Sequence, residues 1–308
     1  MNDSYGNKRS LDDWTQSTYD FDYLSIPGLA KECFLDEDYT IWHDQHDVSY
    51  FWGNHLLNKG ANIKSFGVAP FVYGEYLETT ELEQKYSTIF LPRSDFSTKL
   101  KSDSKKIVYE NLQSIDLENP LFVSYPVDYK FWEEIIPREN LYCISRDIFS
   151  VEWTKRLVRL YKKSKKVYFP HFCSGVLYCS YIKKPINFYD EGKIYDKVNE
   201  YTYSPEHKSD EWNYSMNHLK DIFSDDIMNE EKKYITYNML SLDRIQTPLE
   251  LYKCLYLLVH KKEASKIDDK VLDLLDVNHL NTKLLKNKCD SFLFDKVSAK
   301  TLKLYSRL

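Results

Sequence analysis

The chain has 308 residues, of which 43% are hydrophobic and 29% charged, with a formal net charge of −5. That length suits two lobes better than one small core, and the negative sum excludes a general electrostatic attraction to nucleic acid. The aromatic share of 16%, with 26 Tyr, fits either an AT-rich coding sequence or surfaces that face carbohydrate.

Residues 1–20 read as loosely ordered. From 38 to 79 an apolar patch and a helix-like piece lead to a predicted strand, "IKSFGVAPFVY" (63–73), with turn signals around Gly60 and Gly67. The polar stretch "LETTELEQKY" (77–86) is either a linker or a short helix and marks a candidate boundary.

Beyond it the pattern is regular. "STIFLP" (87–92) predicts a strand with the loop "RSDFST" (93–98) behind it, and "KKIVYENLQSI" (105–115) has helical spacing. "LFVSYP" (121–126) predicts a strand, "YKFWEEII" (129–136) a short helix, and "NLYCIS" (140–145) another strand. "VEWTKRLVRLYKKS" (151–164) predicts an amphipathic helix with a basic outer face. The strand "KVYFP" (166–170), a helix over about 174–183 and the strand "KPINFY" (184–189) complete the run. Near-continuous apolar strands alternating with helices over short connections predict an α/β fold whose parallel sheet is covered on both faces.

The remainder predicts helices: "EWNYSMNHLKDIFS" (211–224), "EEKKYITYNML" (230–240), and "TPLELYKCLYLLV" (247–259) with Thr247 as cap and Pro248 in the first turn. More helix follows over 266–308. The expected division is 1–86, 87–200 and 201–308, the last a helical region.

The six cysteines (Cys33, Cys143, Cys173, Cys179, Cys254, Cys289) are scattered without a C-x-x-C pair, and are read as reduced thiols of a cytoplasmic protein. Residues 1–25 do not resemble a signal peptide, and no apolar run approaches the ~20 residues of a membrane helix. The expectation is a soluble protein, with peripheral attachment to the inner face of a membrane and homo-oligomer formation left open.

In open α/β sheets ligands bind beyond the carboxyl ends of the strands, where a helix start directs unpaired N–H groups and a positive dipole end at an anion. "FPHFCSG" (169–175) is such a junction. Ser174 and Gly175 supply a hydroxyl and a residue that lets backbone approach closely, and His171 faces the same crevice in this reading. The alternative is that Ser174 only caps the helix and His171 is a satisfied polar residue at a strand end. In "TIFLPRSDFSTKL" (88–100), Arg93, Ser94, Ser97 and Thr98 are candidate phosphate contacts, against a plain surface loop with an Arg93–Asp95 pair. In "SYPVDYKFW" (124–132), Asp128 either caps the following helix, the favoured reading, or reaches the ligand. Glu191, just past the strand 184–189, is an acid placed to hold a ribose hydroxyl.

Taken together, the stretches 41–73, "IFLPRSDFST" (89–98), 121–126, "FPHFCSGVLYCSYIKKPINFY" (169–189) and "EEKKYITYNMLSLDRIQTPLELYKCL" (230–255) resemble bacterial glycosyltransferase-like proteins of the GT-B architecture, encoded in capsule and lipopolysaccharide loci. The resemblance spans roughly residues 40–256. It implies a Rossmann-like nucleotide-sugar lobe over 87–200 and an abbreviated amino-terminal acceptor-side lobe before Ser87. It also implies a CMP- or UDP-linked donor held near Arg93, Ser94, His171 and Ser174, no cofactor or catalytic metal, and a glycan or lipid-linked acceptor. An inverting transfer then needs a carboxylate or histidine to take the acceptor proton.

The cluster "WHDQHD" (42–47) bears on that need. Asp44 or His46 is a candidate general base. His43 and His46 at i, i+3 are alternatively the start of a cation site, and the cluster is alternatively a solvated helix start where Asp is stabilising. Two other functions compete with sugar transfer. One is a non-catalytic scaffold of a glycan locus that docks through the helix 151–164. The other is nucleic-acid binding through "KRLVRLYKKSKK" (155–166), opposed by the summed charge and by the absence of a recognition module.

Overall fold

A computed structural model of the chain describes residues 13, 49–51, 63–65, 68–94, 98–101, 103–145, 152–192, 195–197, 210–224, 226–247, 250–251 and 282–305. In chain order its elements begin with β1 (Ser49–Phe51), β2 (Ile63–Ser65), α1 (Pro70–Leu77), β3 (Tyr86–Phe90), β4 (Thr98–Leu100) and α2 (Ser104–Gln113). Next come β5 (Pro120–Ser124), α3 (Tyr129–Glu133), β6 (Leu141–Cys143), α4 (Trp153–Lys163), β7 (Ser164–Phe169) and α5 (Ser174–Tyr181). The series closes with β8 (Ile186–Phe188), β9 (Tyr195–Lys197), α6 (Asp210–Phe223), α7 (Glu230–Met239), α8 (Thr282–Asp290) and α9 (Ala299–Tyr305).

Contacts divide the chain into two compact units. One comprises Glu81–Ile148 and Arg159–Met228, the other Met1–Thr80, Phe149–Val158 and Asn229–Leu308. The sequence reading draws its lines at 86/87 and 200/201. The contacts divide the chain at 80/81, 148/149, 158/159 and 228/229, the third of these inside α4.

The first of these units is built on a five-stranded open sheet in the order β6-β5-β3-β7-β8, with every neighbouring pair parallel. Counted from its first strand in the chain, the order is 3-2-1-4-5. The chain fills one side of β3, then returns to the other side, so the direction of winding reverses between β3 and β7. In register, Ile89 lies opposite Phe122 on one side and Tyr168 on the other. These three share a core with Val108 and Leu112 of α2 and Trp132 of α3. On the opposite face Phe90 stacks on Phe169 at 5.1 Å and lies 5.6 Å from Tyr161 of α4. Helices thus cover both faces, which is why these strands carry no polar alternation.

Local chemistry locks this arrangement. Lys163 ends α4 and Ser164 begins β7 with no loop between them. The Ser164 hydroxyl donates to the Leu160 carbonyl (2.8 Å), so the Thr88 hydroxyl donates to Ser164 Oγ across 2.7 Å. Lys184 Nζ donates to the carbonyls of Ser164 (2.9 Å) and Lys162 (3.3 Å), a cation at the negative end of α4. Burial lowers the pKa of that lysine.

The other unit holds the parallel pair β1–β2, with Ser49 opposite Ile63, and the helices α1, α7, α8 and α9. Here the structure corrects the strand expected over 63–73, because among the described residues of that stretch only Ile63–Ser65 is strand and Pro70 opens α1. Pro70, Phe71, Val72, Tyr73 and Glu75 are all buried, so no polar face betrays the helical period. The stretch 78–85 that follows carries neither helix nor strand, which leaves the linker of the two alternatives. Within the unit the Ala69 N–H donates to the Leu240 carbonyl (3.0 Å), the Gln246 N–H to Tyr73 Oη (3.2 Å), and Glu75 pairs with Lys288. Thr247 caps as expected. Its Oγ1 accepts from the Glu250 N–H (3.2 Å), while Glu250 Oε2 accepts from the Thr247 N–H (2.7 Å). Among the described residues no helix is long and apolar enough to cross a membrane.

Candidate functional site

The carboxyl ends of β3, β5, β7 and β8 carry the polar groups that the sequence singles out in this unit. At the end of β3 the Leu91 N–H still pairs with the Val123 carbonyl (2.9 Å), so the strand turns away only at Pro92. The Ser94 N–H then donates to Asp128 Oδ2 at 2.6 Å, and Ser94 Oγ accepts from the Leu100 N–H at 3.2 Å. Ser94 is therefore a brace for its own loop. Asp128, which is buried, makes no cap hydrogen bond to α3, contrary to its reading as a cap. The carboxylate ties the tip after β5 to the tip after β3 instead. Arg93, half-buried, lies with its guanidinium carbon 4.6 Å from the centre of the Tyr125 ring, which joins the same two tips a second time.

After β7 the chain passes Pro170, His171 and Phe172 and enters α5 at Ser174. The cap position belongs to Cys173, extended at φ −156° and ψ 175° and without a side-chain cap bond. The alternative that Ser174 merely caps the helix is thereby corrected: Ser174 is the first helical residue and half-buried. Burial pushes the Cys173 thiol up, while the Val176 and Gly175 amides and the charge of Arg93 pull it down. The guanidinium after β3 is thus within electrostatic reach of the start of α5. Gly175 serves a different purpose from the one expected. A Cβ built there meets Tyr161 Oη at 2.7 Å and Phe169 Cε1 at 2.8 Å, so the missing side chain lets α5 settle on the core rather than on a ligand.

The turn after β8 is held at several points. The Tyr189 N–H donates to the Phe169 carbonyl (3.1 Å), and the Tyr189 hydroxyl crosses to the Phe90 carbonyl at the end of β3 (2.7 Å). Asn111 Nδ2 of α2 donates to the Asp190 carbonyl (2.9 Å). Gly192, at φ +68°, returns its N–H to Asp190 Oδ1 (2.9 Å) in a turn that only a residue tolerant of positive φ adopts cheaply. Glu191, between them, is turned inward and buried, with Oε1 3.3 Å from His171 Nδ1. Its charge is felt on two sides. Tyr189 has a pKa well above the ordinary value, through burial first and Glu191 second. Lys220 of α6 is lowered by burial, against which Glu191 and Asp190 push it up.

One edge of the sheet thus gathers Arg93, Ser94, Asp128, His171, Ser174 and Glu191, with Tyr125 and Lys220 added by the structure. Tyr125 lies inside the strand expected over 121–126, whereas β5 ends one residue before it. Lys220 gave no signal, since nothing marks which face of a helix 29 residues on meets a strand end. Asp44 and His46 lie outside the described residues, as do His43, Asp47, Asp95 and Ser97, while Thr98 starts β4.

No family model, curated protein or solved structure matches this chain. The site therefore rests on its own chemistry. Arg93 is a donor suited to an anionic oxygen, the start of α5 presents the positive end of its dipole, and the His171 imidazole is placed to hold or move a proton. Among the described residues no group of three or more His, Cys, Asp and Glu side chains is placed to hold a metal ion.

Proposed function

We propose that this chain is a GT-B-like glycosyltransferase that moves a sugar from a CMP- or UDP-linked donor to a surface-glycan or lipid-linked acceptor at the cytoplasmic side of a membrane. The observation that carries this reading is the reversal of strand order between β3 and β7, which puts Arg93 and the His171–Ser174 segment on adjacent strand ends. Crevices of this kind receive nucleotides in open parallel sheets. In the reading proposed, Arg93 and the amino end of α5 meet the charge that develops on the departing phosphate. His171 handles a proton beside it. Asp44 and His46 remain the candidates for the acceptor side.

Incubating the protein with CMP- and UDP-linked sugars and following nucleotide release, with and without glycan acceptors, tests the proposal. The expected result is slow release that acceptor accelerates and that Arg93→Ala abolishes. Nucleotide binding with no release from any donor favours the scaffold alternative, and neither binding nor release refutes both.

A further inference from the structure

Glu191 sits where a nucleotide-binding sheet offers a carboxylate to ribose, yet it faces the other way. Its side chain is 8% exposed, whereas that of His171 is 34% exposed, and the two meet through Oε1 and Nδ1 at 3.3 Å. A carboxylate only accepts, so the imidazole nitrogen opposite it carries the proton. We propose that Glu191 is a positioning residue for His171. It takes the Nδ1–H, fixes the ring orientation, and leaves Nε2 as the nitrogen presented to ligand. On the neutral ring Nε2 is then a bare lone pair, a proton acceptor for a ligand hydroxyl.

The surroundings are built for this. Glu191 is flanked by the Asp190–Gly192 turn, which Asn111 and the positive-φ glycine hold in shape, and by Tyr189, which is anchored to the end of β3. Lys220 places an ammonium group within the field of Glu191. A carboxylate meant for a ribose would need its oxygens toward solvent, and this one is buried with Oε1 against His171. The hydroxyl that Nε2 serves rests on the sugar-transfer reading, but the tautomer rests on geometry alone.

Long-range proton–nitrogen correlation on protein labelled with 15N-histidine tests the two parts separately. The protein has eight histidines, and His171→Gln identifies the relevant ring. The expected spectrum at a pH where the ring is neutral shows Nδ1 protonated and Nε2 bare. Glu191→Ala is expected to release the ring to the Nε2–H form that free imidazole prefers, whereas Glu191→Gln, whose amide oxygen still accepts, keeps Nδ1–H. In the turnover assay Glu191→Ala should lower kcat by roughly 10- to 100-fold with donor KM little changed, and Glu191→Gln should restore most of it. An Nε2–H ring in the unsubstituted protein overturns the inference whatever the turnover. A ring with Nδ1–H in a protein that turns over no donor upholds the positioning role and refutes the sugar-transfer reading instead.

Discussion

Gly175 shows how a residue chosen for one reason serves another. The sequence presents it beside Ser174 as a place where backbone approaches a ligand, but its bare Cα faces the Tyr161 hydroxyl and the Phe169 ring. Both neighbours are fully buried, and Phe169 is stacked on Phe90, so neither is free to step aside. Gly175→Ala is expected to cost about 1–3 kcal/mol in chemical denaturation, the range for overfilling a packed interior. A neutral or stabilising result would mean that α5 slides without loss. The chemistry of the residue types was legible at this scale. Arg93, His171 and Glu191 were marked by their position after apolar strands, and all three stand at one edge. Their partners were not legible, because a hydrogen bond between residues 20 or 34 apart, such as His171 to Glu191 or Ser94 to Asp128, leaves no local trace.

Among the elements, the alternation of strand and helix over 86–189 was read from apolar runs and turn residues to within a few positions. The failures share one cause. Helix α1 opens on four consecutive buried residues, Pro70–Tyr73, and has no exposed face, so its apolar run looked like a strand. The antiparallel pair β4–β9 consists of three-residue strands, too short to show a period of two. The loops between elements yield a sharper test, since Asp128 is a negative charge beside a seat proposed for an anion. If it acted only through its field, removing it would strengthen nucleotide binding. The geometry gives it a mechanical role, because it holds the Ser94 N–H and so fixes the loop that carries Arg93. Asp128→Ala is therefore expected to weaken nucleotide affinity despite the charge removed, and to destabilise the fold by about 1–3 kcal/mol through an unsatisfied amide. Asp128→Asn, which keeps an acceptor oxygen, should bind at least as well as the unsubstituted protein. Calorimetric titration of the pair separates the two roles, and equal gains in affinity for both would contradict the mechanical one.

For the molecule as a whole, burial of acidic groups sets an alkaline limit. Tyr161, Tyr189 and Cys179 all have pKa values well above the ordinary ones, with desolvation the leading cause. A folded value raised above the unfolded one means that the fold keeps protons which the unfolded chain releases. The stability these groups contribute is thus whole below about pH 10 for the phenols and about 8.5 for the thiol, and declines above. Lys184 and Lys220 act in the opposite sense, since their lowered values make stability rise with pH up to the ordinary lysine value of about 10.4. Comparing Tyr189→Phe with the parent isolates one contribution. The variant loses the bond to the Phe90 carbonyl and is less stable at neutral pH, but its thermal midpoint should fall less steeply above pH 10. Parallel curves would place the Tyr189 hydroxyl in contact with solvent. What the sequence could not reveal at this scale is strand order. It predicted a parallel sheet with three loaded tips, but not that β7 lies against β3, and that adjacency turns separate loops into one seat.

The account depends on that seat being an anion site for a nucleotide. Titrating the purified protein with CMP and with UDP while following thermal unfolding, alongside Arg93→Ala, tests it most directly. Ligand at 100 times its dissociation constant adds ~2.7 kcal/mol of stability. We expect one of the two nucleotides to raise the midpoint in a saturable way and Arg93→Ala, compared with its own ligand-free midpoint, to lose the effect. No stabilisation by either nucleotide at millimolar concentration, or full stabilisation of Arg93→Ala, would contradict it.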